Sequence, residues 1–191
     1  MTKKPRYYIE LHLPEDKDIQ AISCSHVISY LHSCNKRNNW NIGIDFPLEN
    51  KEGLGALIRL FSYEKETLNI FLKSKMLEKL KAINAISGKS NFVTLVPEST
   101  EEILLFRNNK IEKRQLSYWM KKRYSESEAI EIIEKLPPVD THAHLVKLYS
   151  SKSNRPMKRY LHRVEAKSRS DGKFNSYGYS SKDKHVTVPF F

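Results

Sequence analysis

The chain has 191 residues, 39% hydrophobic and 29% charged, the balance of a globular protein built as one large domain or two small ones. Its net charge is +11, and residues 101–191 hold 19 of the 33 Lys and Arg residues against 11 of the 22 Asp and Glu residues, so the second half carries +8. No apolar run reaches the ~20 residues of a membrane span, and Cys24 and Cys34 form no C-x-x-C pair for a zinc ribbon or redox site.

A concentrated basic surface is the footprint of a polyanion partner, and its plainer explanation is solubility. The two cysteines suit a reducing cytosol. In chain order, Tyr7–Leu13 alternates apolar and polar residues from Ile9, which predicts a half-buried strand ended by Pro14. Ile19, Ile22, Val27, Tyr30 and Leu31 fall at helical spacing within 19–37. Trp40–Phe46 reads as a strand, and the later part of Gly53–Tyr63 as another. Leu68–Ile83 reads as one helix, and Phe92–Val96 as a fourth strand. Strand, helix, strand, strand, helix, strand is the ferredoxin-like order, which RNA-recognition modules also use.

Residues 98–109, beginning Glu98-Ser-Thr-Glu-Glu, read as a linker between a domain at 1–97 and one at 110–191. Lys110–Lys122 is expected to be a basic helix. Ser125–Leu136 is expected to be a second helix, because Ser125-x-x-Glu128 is a capping-box pattern. Leu145–Phe191 reads as short strands between polar turns, with Lys167–Lys173 polar enough for a mobile loop. The chain shows no internal repeat and no low-complexity tract. The expected class is α+β, a ferredoxin-like domain followed by a smaller α+β domain with a basic helix.

Val139-Asp-Thr-His142-Ala-His144-Leu145 looks like the metal-binding first strand of an amidohydrolase. That fold needs a barrel of ~250 residues and further ligands downstream. After His144 only His162, His185, Glu165, Asp171 and Asp183 remain. The metal reading is therefore set aside, and no cofactor is expected.

A set of short segments carries a resemblance. Phe174-Asn-Ser-Tyr177-Gly178-Tyr-Ser-Ser181 is followed by Val186-Thr-Val-Pro189-Phe-Phe191. Upstream lie Tyr8-Ile-Glu-Leu, Ile42-Gly-Ile-Asp-Phe-Pro47, Gly55-Ala-Leu-Ile-Arg-Leu60, Val93–Pro97, Met120-Lys-Lys and Ser125–Ala129. In this order they resemble the type I-F CRISPR repeat endoribonucleases along nearly the whole chain. The resemblance implies binding of the CRISPR repeat hairpin and cleavage at its 3′ base by 2′-hydroxyl attack, leaving a 2′,3′-cyclic phosphate, with no metal. It implies that the protein stays on the guide RNA (crRNA) beside the Csy-type subunits of a Cascade complex in a prokaryotic cytoplasm, with no membrane partner. The alternative is an RNA-binding cap subunit that does not cut.

By the same resemblance His32 is the proton-moving group, a role that suits imidazole near neutral pH, with His26 six residues earlier as its substitute. Val146-Lys-Leu148-Tyr-Ser150-Ser151-Lys-Ser153 matches the serine pair that holds the nucleophile. Counting from the strand selects Ser150, and counting by Ser-x-Ser selects Ser151 with Ser153. Tyr177 matches a tyrosine that packs on the histidine. Arg114, Lys121, Lys122 and Arg123, supported by Lys110 and Lys113, are expected to grip phosphates, and Arg107 to read a base edge. Leu116, Ser117 and Tyr118 stand where the family often has arginines. Pro156 or Met157, with Tyr160 a little further on, stands where it has a stacking aromatic. The basic Lys152–Arg163 stretch, including Arg155, Lys158 and Arg159, is expected to meet the RNA instead.

Overall fold

The structure, a computed structural model, describes residues 4–87, 92–107, 111, 113–136, 143–149, 156–181 and 185–191. The first sheet contains β1 (Tyr7–His12), β2 (Gly43–Asp45), β3 (Leu57–Ser62) and β4 (Thr94–Leu95) in the order β2-β3-β1-β4. Every pairing is antiparallel, which is the ferredoxin-like arrangement the segment order predicted. Helix α1 (Lys17–Arg37) begins where the Asp16 side chain accepts from the Asp18 and Ile19 amides. Its Val27, Ile28 and Leu31 pack on Ile9, Leu11, Ile58 and Leu60 from one face of the sheet.

The single helix expected over Leu68–Ile83 is two, α2 (Lys65–Leu72) and α3 (Lys75–Ala82). Ser74 divides them because its hydroxyl accepts from the Leu77 amide and starts a new helix. An apolar periodicity that runs through a serine does not reveal such a break.

The second sheet contains β5 (Glu101–Arg107), β6 (Ala143–Tyr149), β7 (Pro156–Ala166) and β8 (Val188–Phe190) in the order β6-β7-β5-β8, again antiparallel. Two expectations fail here. Residues 101–107 are an inner strand of this sheet and not linker. Glu102, which made the segment look solvated, is buried in a two-pronged ion pair with Arg6, 96 residues away. The short strands expected after Leu145 include one of 11 residues, β7.

The 167–173 segment is also tied down. Ser170 bonds Thr187 and His185, and Arg169 donates to the Lys4 carbonyl. Leu105, Val146, Leu148 and Leu161 of the second sheet join the same core as α1 and the first sheet. The other face of the first sheet is covered too. Phe61 packs with Val186 and Val188, and Arg59 lies over the Phe191 ring at 4.1 Å. No helix among the described residues is long and apolar enough to cross a membrane.

Two further short helices lie among the described residues, α4 (Leu116–Met120) and α5 (Glu126–Glu134). Ser125 and Glu128 form the expected reciprocal cap of α5. The continuous basic helix expected over Lys110–Lys122 is absent: Gln115 is extended at φ −90°, ψ 127°, and the helix after it has five residues. Arg114, at the break, donates to the Leu136 carbonyl at 2.6 Å and so fastens this turn to the end of α5.

Candidate active site

His32 lies on the last third of α1, half-buried. Its ring stacks on that of Tyr177 with centroids 4.0 Å apart and planes 9° from parallel. Its Nδ1 is 2.9 Å from the Ser176 Oγ, across 144 residues of sequence. Burial first, and the Lys36 ammonium one helical turn away second, hold its pKa below the usual imidazole value. Both effects favour the neutral ring, which can accept a proton.

The Ser176–Tyr177 pair is held by a tight turn. Gly178 donates its amide to the Asn175 carbonyl at 2.9 Å, while the Asn175 side-chain oxygen accepts from the Tyr177 and Tyr179 amides. Asparagine first and glycine fourth suit a turn of this kind. Gly178 has φ +81°, and a Cβ there would lie 2.9 Å from Leu31 and 3.1 Å from the Ile42 carbonyl. Its carbonyl accepts from the Ile44 amide at 3.1 Å.

Asn35, one turn after His32, clamps the arrangement by donating to the Ile42 carbonyl at 2.9 Å and to the Ser176 carbonyl at 3.3 Å. Gly43 leaves room for the Phe174 ring, whose Cζ would be 2.5 Å from an added Cβ. The Ile-Gly-Ile strand and the Phe-Asn-Ser-Tyr-Gly turn therefore fit each other atom by atom. A model of the family described as CRISPR-associated protein (Cas_Csy4) matches residues 8–191.

The chain belongs to the Cas_Csy4 family. That family is one of CRISPR endoribonucleases, and this chain is a CRISPR-associated, repeat-processing protein. No curated protein matches it.

Among the other residues expected at a Cas_Csy4 site, His26 is exposed on α1, six residues from His32 and without the tyrosine stack. Ser150, Ser151, Ser153, Arg155 and Lys110 lie outside the described residues, as does His142. Lys121, Lys122 and Arg123 are exposed beyond α4, and Lys113 is half-buried before it. Arg107 is not a linker residue but ends β5, opposite Leu161. On β7, Lys158 is exposed, while Arg159 donates to the Lys158 carbonyl and to the Met157 sulfur. Tyr160 accepts from Gln115 at 2.9 Å.

The half of the rejected metal motif that is described has another use. His144 lies within hydrogen-bond distance of Glu49 at 2.7 Å, and Arg163 reaches Glu49 and the buried Asp45, so these side chains tie β6 and β7 to β2 and the loop after it. Among the described residues no three of His, Cys, Asp and Glu gather as a ligand set. Sequence reasoning missed Ser176, Asn35 and Asn175. Ser176 lies inside the Phe174–Ser181 segment that carried the resemblance, but only the fold brings it to His32.

Proposed function

We propose that this protein cuts the CRISPR repeat hairpin at its 3′ base without a metal ion and then stays on the guide RNA as a subunit of a Cascade complex. The observation supporting the chemistry is the neutral-favoured His32 ring, fixed on one face by Tyr177 and at Nδ1 by Ser176. With Nδ1 engaged, Nε2 is the nitrogen left for the RNA. Nε2 takes the proton of the 2′-hydroxyl beside the scissile phosphate. The freed oxygen attacks phosphorus in line, the bond to the 5′-oxygen breaks, and that oxygen leaves and acquires a proton. The products are a 2′,3′-cyclic phosphate and a 5′-hydroxyl. A positioned base of this type contributes ~10²–10⁴-fold, and the stack and hydrogen bond supply the positioning. A serine among Ser150, Ser151 and Ser153 holds the nucleophilic hydroxyl, and Lys121, Lys122 and Arg123 hold phosphates.

The test is repeat RNA incubated with the protein in EDTA. Cleavage is expected, and a single 2′-deoxy nucleotide before the scissile phosphate should stop it. RNA that is bound tightly yet left whole would make the protein a cap that does not cut. Cutting that EDTA abolishes would overturn the metal-free step.

A further inference from the structure

Helix α4 buries none of its own residues, yet aromatic side chains cluster on it and just beyond it. The Trp119 ring is fixed, because its Nε1 donates to the Lys113 carbonyl at 2.5 Å. The Tyr118 and Tyr124 rings stand against it edge-on, at 5.2 and 5.5 Å and both at 82°. Tyr124 is 42% exposed. The Lys122 ammonium sits 5.0 Å from the Tyr118 centroid and 5.8 Å from that of Trp119. Aromatic surface displayed beside an exposed cation contributes little to a core. It is the combination that takes a base on a ring face and its phosphate on the cation.

A second feature extends the surface toward β7. Lys147 and Lys158 face each other in register, both exposed, a like-charge pairing that costs stability unless an anion relieves it. Tyr160 lies on the same face of β7, two residues on, and is bonded to Gln115, the residue that begins α4.

We propose that Tyr118, Trp119 and Tyr124 form a stacking platform for one unpaired nucleobase of the bound RNA, with Lys122 moving from the rings to the adjoining phosphate. An exposed ammonium over a ring is a weaker hold than a stacked base, so the base displaces it. The platform gives the interrupted basic segment a different role from a helix lying in the hairpin groove. It rests on the reading that the ligand is RNA.

The experiment uses uncleavable 2′-deoxy repeat RNA in which unpaired bases are made abasic one at a time. Affinity is measured with the unaltered protein. Stacking is read by fluorescence in W40F, which leaves Trp119 as the sole tryptophan of the two in the chain. One abasic position should weaken binding about tenfold and abolish the quenching of Trp119. Y118L should cause the same loss with intact RNA and no further loss with that abasic RNA. If every abasic RNA binds and quenches like the intact one, the platform is overturned while RNA binding stands. If intact RNA does not bind at any salt concentration, the functional reading beneath it falls as well.

Discussion

At the residue scale, His32 owes its character to three neighbours that no local sequence window contains together. Tyr177 fixes the ring plane and Ser176 fixes which nitrogen is engaged, while Lys36 opposes protonation. Because its pKa is lowered, the neutral base prevails above that value, so the cutting rate should rise with pH through a midpoint below 6.5. K36Q removes one of the two causes and should move the midpoint upward without changing RNA affinity. A midpoint that stays put in single-turnover assays would remove Lys36 from the account. H32A should lower the rate ~10²-fold or more with binding intact, since affinity rests on phosphate contacts. S176A should slow cutting roughly ten- to hundredfold at unchanged affinity, with S176T restoring most of it. An S176A rate equal to wild type would show that the stack alone orients the ring.

At the scale of elements, the 175–178 turn and the α4–α5 pair make opposite demands on the sequence reader. The turn announces itself through Asn175 and Gly178, and its cost of error is high. G178A forces a Cβ into a left-handed position against Leu31 and should destabilise by roughly 1–3 kcal/mol, seen as a lower urea midpoint together with loss of cutting. The α4 segment misleads. Its cations suggest one long basic helix, but Gln115 is extended there and Arg114 serves the fold by holding Leu136. R114A should cost about 1.5–3 kcal/mol locally and speed amide exchange in α4 and α5. Unchanged exchange with a shallower salt dependence of RNA binding would return Arg114 to the phosphate contacts. Ser74 teaches the same lesson as Gln115, since helix breaks set by caps are weaker in sequence than the apolar stripe that continues past them.

At the scale of the whole molecule, the two sheets share one core and are joined by buried charges, Arg6 with Glu102 and Arg163 with Asp45. The protein should therefore unfold in one cooperative transition, with tertiary and secondary probes coinciding. Two separated transitions would mean the sheets are independent. The face of the first sheet that RNA-recognition modules leave open is occupied by the chain's own 186–191 segment and Arg59. We propose that RNA instead meets the basic second half, residues 101–191, which carries +8 of the +11 net charge.

The sequence by itself determined the order of strands and helices in the first half and the charge asymmetry, while the family resemblance supplied the candidates His32 and Tyr177. Hydrophobic period and turn residues are local, and they report which side of a segment is buried. They do not report what that side is buried against. The tertiary structure decided that Glu101–Arg107 is an inner strand, because Glu102 finds Arg6. It decided that Arg114 is a tie and that Lys147 faces Lys158. It also brought Ser176 to the histidine. Each of these depends on a partner far away in the chain, or on a break in the backbone that local periodicity does not register.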